Sequence, residues 1–371
     1  MANNNENKIL NVPHLRFPEF SGEWKKCKLG DLCNVLMCKR ILVSQTNTED
    51  GVPFYKIGTI GSTPDAYISK ELFDDYKVKY NYPRKGEVMI TCAGTVGKCV
   101  VYDGEDAYFQ DSNIVWIDNP TQYISNGFLF HLLSKVDWRK LNSTTIIRIY
   151  NDDLRNLKMS YPRKEEQQKI SHLLSLLDER IATQNKIIYK LKSLIRGIAQ
   201  NMVHRGKPNV RLSDCMICNS STLQESEVLE SGTYPVYGAN GIVGYLDCYA
   251  TLNEAIYIIK DGSGVGTVFY VAGKCSAAGT LNTLQAKEGY SLQYLYYLLT
   301  VFNFEPYKTG MAIPHIYFKD YGKAKVFCPS HSEQFKYTKL LSTIDSKLLA
   351  EQNALVNYNL QKQYLLRQMF I

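Results

Sequence analysis

The chain has 371 residues, a net charge of +7, 45% hydrophobic and 21% charged residues. That length allows two or more domains with their own cores, and the composition excludes the disordered and fibrous classes. The polar opening Met1-Ala-Asn-Asn-Asn-Glu has no apolar h-region, and the run Tyr294–Phe302 is about half the roughly 18 residues of a membrane span, so neither secretion nor a membrane is expected and the expected location is cytoplasmic.

Taken in chain order, the segments come in pairs. Lys28-Leu-Gly-Asp31 opens the chain after a Pro- and aromatic-rich stretch, and Arg211-Leu-Ser-Asp214 opens a second half. Val88–Tyr102 and Ala255–Val271 are each a β-branched run, a Gly-rich loop and a second β-branched run, the pattern of a hairpin. At an offset of 167, Ile149-Tyr-Asn-Asp-Asp153 matches Ile316-Tyr-Phe-Lys-Asp320, and Lys158-Met-Ser-Tyr-Pro162 matches Lys325-Val-Phe-Cys-Pro329. At the same offset Pro162, Glu166, Gln167, Leu173, Leu174, Ser175 and Asp178 recur as Pro329, Glu333, Gln334, Leu340, Leu341, Ser342 and Asp345. A repeat of this kind sets the architecture. The expected fold is α+β: two similar mixed, strand-rich domains joined by two long helices that pack as an antiparallel coiled coil in a pseudo-twofold repeat. The expected divisions are residues 1–160 and 207–328 for the domains, 161–206 and 329–371 for the helices.

The helices carry a heptad seam. Leu174, Leu177, Ile181, Gln184, Ile188 and Leu191 step by three and four, and Leu341, Ile344, Leu348, Glu351, Leu355 and Tyr358 repeat the stepping. The polar Gln184 and Glu351 fall at equivalent positions, the kind of seam residue that costs stability and fixes register. About 40 residues at 1.5 Å each make a rod of roughly 60 Å, which Gly206-Lys-Pro208 ends on the first helix. The charge is uneven. Residues 1–160 carry +1, 161–210 carry +6, 211–326 carry −2 and 327–371 carry +2. A basic stripe suits nucleic acid, and it equally suits a solvated helix face.

Signs of catalysis do not survive inspection. Asp261-Gly-Ser-Gly-Val-Gly266 resembles a nucleotide loop but runs into Thr267-Val-Phe-Tyr-Val271, a strand and not the helix that a phosphate needs. Asp65, Asp75 and Lys77 imitate a nuclease's carboxylates and lysine, without an equivalent in the second half. Asp118-Asn-Pro-Thr121 lacks the second proline and the aromatic residue of an adenine-methylating motif. Cys215-Met-Ile-Cys218 has zinc spacing but no second ligand pair, and the ten cysteines are expected reduced. No catalytic residue, metal or cofactor is expected.

Pro13-His-Leu-Arg-Phe-Pro-Glu-Phe-Ser-Gly-Glu-Trp24, Lys28-Leu-Gly-Asp31 and the doubled Pro-x-x-x-Glu-Gln, Leu-Leu-x-x-x-Asp helix together resemble the specificity (S) subunits of type I restriction–modification systems, over essentially the whole chain. The resemblance implies two target recognition domains, each reading half of a bipartite sequence in double-stranded DNA. It implies that the helix pair sets the spacer and docks two methyltransferase (M) subunits, with restriction (R) subunits completing the complex. S-adenosylmethionine and ATP would be bound by those partners, so the chain itself performs no chemistry. Candidates for DNA contact are Lys39, Arg40, Lys56, Lys77, Lys79, Arg84, Lys85 and Arg148 in the first domain. In the second they are Tyr237, Asn240, Lys260, Ser263, Tyr307, Lys308, Thr309 and His315. Two other classes stay in view: a stand-alone nuclease or methyltransferase, and a protein-binding scaffold with a coiled-coil spacer.

Overall fold

In the computed structural model, which describes residues 10–141 and 147–371, the chain forms two compact units. One comprises residues up to Thr183 together with Leu355–Ile371, the other Gln184–Ala354. The polar stretch at residues 1–9, read above as no signal sequence, lies outside the described residues.

The first unit begins with β1 (Lys25–Lys28), which pairs antiparallel with β9 (Lys158–Tyr161). Strands β2 (Asn34–Leu36), β8 (Ile114–Asp118), β5 (Val88–Thr91) and β6 (Cys99–Val101) form an antiparallel sheet in that order. A second sheet has β4 (Tyr67–Ile68), β3 (Val52–Tyr55) and β7 (Tyr108–Phe109), with β3 and β7 parallel. Helices α1 (Lys70–Lys79), α2 (Asn126–Lys135), α3 (Trp138–Leu141) and α4 (Asn151–Arg155) cover it, and α5 (Lys164–His204) starts here. The second unit repeats the plan. There β10 (Val210–Arg211) pairs with β18 (Lys325–Val326), and α6 (Leu212–Cys215) follows β10. The four-stranded order is β11 (Met216–Ser220), β17 (Leu281–Ala286), β14 (Glu254–Ile259), β15 (Val268–Ala272). The three-stranded order is β13 (Gly241–Leu246), β12 (Tyr234–Gly238), β16 (Ser276–Ala277), the last pair again parallel. Helices α7 (Leu292–Val301), α8 (Phe318–Tyr321) and α9 (His331–Gln368) complete it. The repeat and the α+β class thus hold down to strand order. The two Gly-rich loops are hairpin turns, β5–β6 and β14–β15.

The central strands are mostly apolar because both faces are covered: Val88, Met89, Ile90 and the polar Thr91 are buried, as are Ala255–Ile259. What the sequence pattern does not reveal is how the long helices divide. The start of α5 buries Ile170 and Leu174 in the first unit, and the end of α9 sends Leu366, Met369 and Phe370 into the same core. In the second unit Leu341 near the start of α9 is joined by Ala199 and Met202 from the end of α5. Each core is closed by the helix that leaves it and by the far end of the other. Met369 and Met202 are equivalent at the offset of 167.

Within each unit the helices run antiparallel, since numbers rise on one as they fall on the other. Asp178 meets Lys362 and Arg180 meets Tyr358 in the first unit; Gln184 meets Glu351 and Arg205 meets Tyr337 in the second. All twelve seam positions named above are buried or half-buried. Gln184 Nε2 donates to the Glu351 carbonyl at 3.0 Å and also to its carboxylate, which Lys347 pairs from one turn away. The two equivalent polar residues touch each other.

The doubled Glu-Gln motif joins each long helix to its own domain. Gln167 accepts the Ser125 backbone N–H at 2.7 Å and donates to the carbonyls of Tyr123 and Pro162, both at 2.9 Å. Gln334 accepts the Ser291 N–H at 2.9 Å and donates to the Pro329 carbonyl at 2.9 Å. Ser125 and Ser291 are the N-caps of α2 and α7. A buried amide thus ties each long helix to its domain helix, and each of its bonds satisfies a backbone group that burial would otherwise leave unpaired. The Asp of the motif repeats the tie about three turns on: Asp178 lies 4.0 Å from His131 on α2, and Asp345 accepts from the Tyr297 hydroxyl on α7. The glutamates differ. Glu166 is 1% exposed and takes a two-pronged contact from Arg16, at 2.8 and 2.7 Å, plus the Trp24 indole N–H at 3.2 Å. Glu333 is exposed. The stretch Pro13–Trp24 therefore serves the first unit alone.

Candidate nucleic-acid interface

In the second unit two loops are stitched side by side. The β14–β15 turn needs glycine at 262, 264 and 266, where φ is +86°, +85° and +89°. Beside it lies the loop Thr309–His315, closed by reciprocal backbone bonds of 2.9 and 2.8 Å between its end residues. Gly262 N–H donates to the Pro314 carbonyl at 2.9 Å and Ile316 N–H to the Lys260 carbonyl at 2.9 Å. This brings together four of the eight expected second-domain residues: Lys260, Ser263, Thr309 and His315. Ser263 and Thr309 are exposed; Lys260 reaches the Ser221 carbonyl at 3.3 Å. Tyr307 and Lys308 stand just before the loop, the tyrosine stacked on Phe302 at 5.8 Å and the lysine paired with Glu305 at 2.6 Å. Asn240 is exposed at the β12–β13 turn, in another part of the unit. Tyr237 is half-buried against Tyr257, and burial pushes its hydroxyl up from the ordinary value. It packs more than it projects.

The first-domain candidates are spread more widely. Arg40 pairs with Asp111 at 3.4 Å, Lys56 with Asp65 at 2.9 Å, Lys77 with Asp106 at 3.0 Å and Lys79 with Asp75 at 2.5 Å. Arg84 is held by Glu87 at 2.9 Å and by Asp118. The pairs of Lys56, Lys77 and Lys79 are exposed on both sides and contribute little, so a phosphate can replace the carboxylate there, whereas Arg84 neutralises the buried Glu87 and cannot leave it without stranding that charge. Lys39 lies 5.4 Å from the Tyr80 ring and Lys85 is exposed. Arg148, the counterpart of His315 at the offset of 167, donates to the Ser112 carbonyl at 3.2 Å and sits 5.9 Å from the Tyr150 ring. The residues just before it, 142–146, lie outside the described residues.

The nuclease imitation does not assemble, because Asp65 and Asp75 each bind a separate lysine. Cys215 is buried and its thiol donates to the Arg211 carbonyl at 3.2 Å, while Cys218 sits in strand β11. Among the described residues no group of three His, Cys, Asp or Glu side chains converges. No helix among them is long and apolar enough to cross a membrane.

Sequence reading missed several groups at the stitched loops. The Tyr317 ring stacks edge-on against His315 at 5.0 Å and carries Lys319 at 5.1 Å. Met311 is fully exposed and Ile313 is 66% exposed. The only cue was Gly310-Met-Ala-Ile-Pro314, apolar residues between glycine and proline, where apolar residues have no core to join. On the second half of α5, Lys186, Lys190 and Lys192 are exposed, and their equivalents on α9 are the neutral Asn353, Asn357 and Asn359.

Compared with known proteins, the chain matches the type I restriction modification DNA specificity domain twice, at residues 21–193 and 208–358. It is 46% identical over 180 residues to a putative type I restriction enzyme specificity subunit, S.HindORF215P, of Haemophilus influenzae, covering 48% of this chain and 44% of that one. It is 23% identical over 202 residues to the putative MjaX specificity subunit of Methanocaldococcus jannaschii, covering 51% and 47%. The matched parts thus span less than half the length of these relatives. In fold it resembles the crystal structure of a type I restriction–modification S subunit from M. genitalium, with a TM-score of 0.66 and 18% identity over 97% of this chain and 99% of that one. A chain from a structure on complex assembly and conformational transition of the type I system gives a TM-score of 0.53 at 16% identity, covering 95% and 98%.

Proposed function

The chain belongs to the type I restriction modification DNA specificity family, and from that premise we propose that it is the DNA-reading subunit of a type I restriction–modification complex. Each globular domain reads one half of a bipartite duplex sequence. The helix pair sets the spacing between the halves and docks two methyltransferase subunits, with restriction subunits joining the assembly. Methylation and cleavage belong to those partners, which bind S-adenosylmethionine and ATP, and the site of action is the cytoplasm.

One observation carries this reading: the specificity domain occurs twice in one chain, on two units with the same strand order. Two copies of one reader suit two half-sites of one duplex. With little net charge on the domains, affinity comes from a few cations and from the partners, and discrimination from side chains reaching base edges. The group Lys260, Ser263, Thr309 and His315 suits the second half-site; Lys39, Lys85 and Arg148, with the exchangeable pairs of Lys56, Lys77 and Lys79 and the more firmly held Arg40 and Arg84, suit the first.

Mapping methylated adenines genome-wide, with and without this chain beside its methyltransferase partner, tests the reading. A two-part motif that disappears with the chain supports it; an unchanged methylation pattern refutes it. Binding of duplex DNA should weaken steeply with salt, in proportion to the phosphates contacted. A protein scaffold would show no such DNA binding.

A further inference from the structure

We propose that the loop Thr309–His315 is the base-reading tip of the second domain, and that Met311 and Ile313 do the reading by packing against apolar base edges, the thymine methyl group above all. The inference rests on the DNA-reading function proposed above and goes further, to two residues of a kind that charge and polarity do not pick out.

The loop is prebuilt. Its ends are clamped by the reciprocal Thr309–His315 bonds, and its side is fastened to the Gly-rich hairpin through Gly262 and Pro314. Gly310 has φ +90°, and a Cβ there would lie 2.3 Å from the Ile313 carbonyl oxygen, so the shape requires glycine at this point. Pro314 fixes one further φ. A loop so constrained loses little freedom on binding. Yet it spends that rigidity on presenting Met311, fully exposed, and Ile313, 66% exposed, with no core to join. A single exposed apolar residue needs no explanation, whereas two on one stiffened turn form a small apolar head.

The surroundings say what the head meets. Lys319 and the Lys308–Glu305 pair flank the loop, His315 closes it with Asp261 paired beside it along the backbone, and the hydroxyls of Ser263 and Thr309 stand beside it. These groups suit phosphates and sugar, which position a reader without specifying sequence. In the major groove each base pair shows donors and acceptors, and only thymine adds a methyl group, which apolar side chains read. An apolar head in a cationic and hydroxyl collar fits that surface.

The test uses the full chain co-expressed with its methyltransferase partner. The substitutions Met311→Ser and Ile313→Ser, made together, should leave hydrogen-exchange protection of Glu254–Ile259 unchanged, because both side chains are solvent-exposed. Methylation mapping should then show one half-site relaxed at one or two positions, with the other half-site and the spacing intact. In binding assays, replacing thymine by uracil in that half-site should weaken the parent complex roughly tenfold and the variant hardly at all. An unchanged motif, or equal sensitivity to uracil in parent and variant, overturns the inference. So does loss of the methyltransferase partner with DNA discrimination intact, which would make the tip a protein contact. If the parent chain directs no two-part methylation, the functional reading falls first and takes this inference with it.

Discussion

The last residues of the chain are structural members of the first unit, and this can be tested by a crossed pair of substitutions. Phe370 is 3% exposed, with its ring 4.8 Å from Phe128 and 6.5 Å from Trp24, and its carbonyl accepts from Lys135 Nζ at 2.9 Å. Cutting a buried phenylalanine to alanine costs roughly 3–5 kcal/mol. In a unit of about 200 residues each kcal/mol moves Tm by about 2–4 °C, so Phe370→Ala should lower melting of that unit by about 10 °C. Met202→Ala, at the equivalent of Met369, should do likewise to the second unit, at roughly 2–5 kcal/mol. Hydrogen exchange read by mass spectrometry separates the two. Phe370→Ala should loosen Val88–Thr91 and Ile114–Asp118 and spare Glu254–Ile259; Met202→Ala should do the reverse. If Phe370→Ala loosens both units equally, or neither, the crossed docking of the helix ends is wrong.

Three other outcomes are expected. Gln184→Leu or Glu351→Leu alone should cost about 0.5–1.5 kcal/mol in urea titrations by losing their side-chain hydrogen bond, with Lys347 and the Glu351 carbonyl still holding the group left behind, and the double change should cost less than the sum of the two; strictly additive costs would refute the contact. Removing residues 181–187 together with 348–354 takes one heptad from each helix and keeps the seam in register. Mapped methylation should then show the half-sites unchanged and the spacer shorter by about 3 base pairs, from about 10 Å of lost rise; loss of a half-site would refute the ruler. Burial lowers the His131 pKa from 6.5 to about 4 despite Asp178 nearby, so the folded state resists protonation that the unfolded chain accepts. The stability from this group is complete above about pH 6.5 and falls as pH drops toward 4, by about 3 kcal/mol. His131→Tyr, which installs the residue found at the equivalent position 297, should flatten that slope in melting curves between those pH values.

The repeat, the strand-flanked glycine loops and the heptad seam were legible in the sequence because each is a local pattern with a fixed period. Gln184 and Glu351 could be matched by the offset alone, although a match in sequence does not by itself mean contact. The crossed docking was not legible. A heptad says that a helix packs lengthwise, and it does not say that Phe370 reaches Trp24, 346 positions earlier. Nor could Arg16 be assigned to Glu166, because an ion pair has no period. The proposed interface was half legible. Lys260, Ser263, Thr309 and His315 drew notice as polar residues in turns, while Met311 and Ile313 did not, because exposure is set by the stitched loops rather than by residue type. Helix α1, which brings Phe73 into a core of its own with Ile68, Tyr108 and Trp116, was not read, because among the described residues the second unit has no helix at that place to match it.

The ties made by Gln167 and Gln334 grip only main-chain groups of the domain they hold. A contact to backbone puts no demand of its own on side-chain identity, so this amide can be kept while the sequence it grips changes; the Asp178–His131 and Asp345–Tyr297 ties, which use side chains, have changed partner. The two domains here have drifted apart in sequence while keeping the same socket. The joint has outlasted the likeness of the parts it joins.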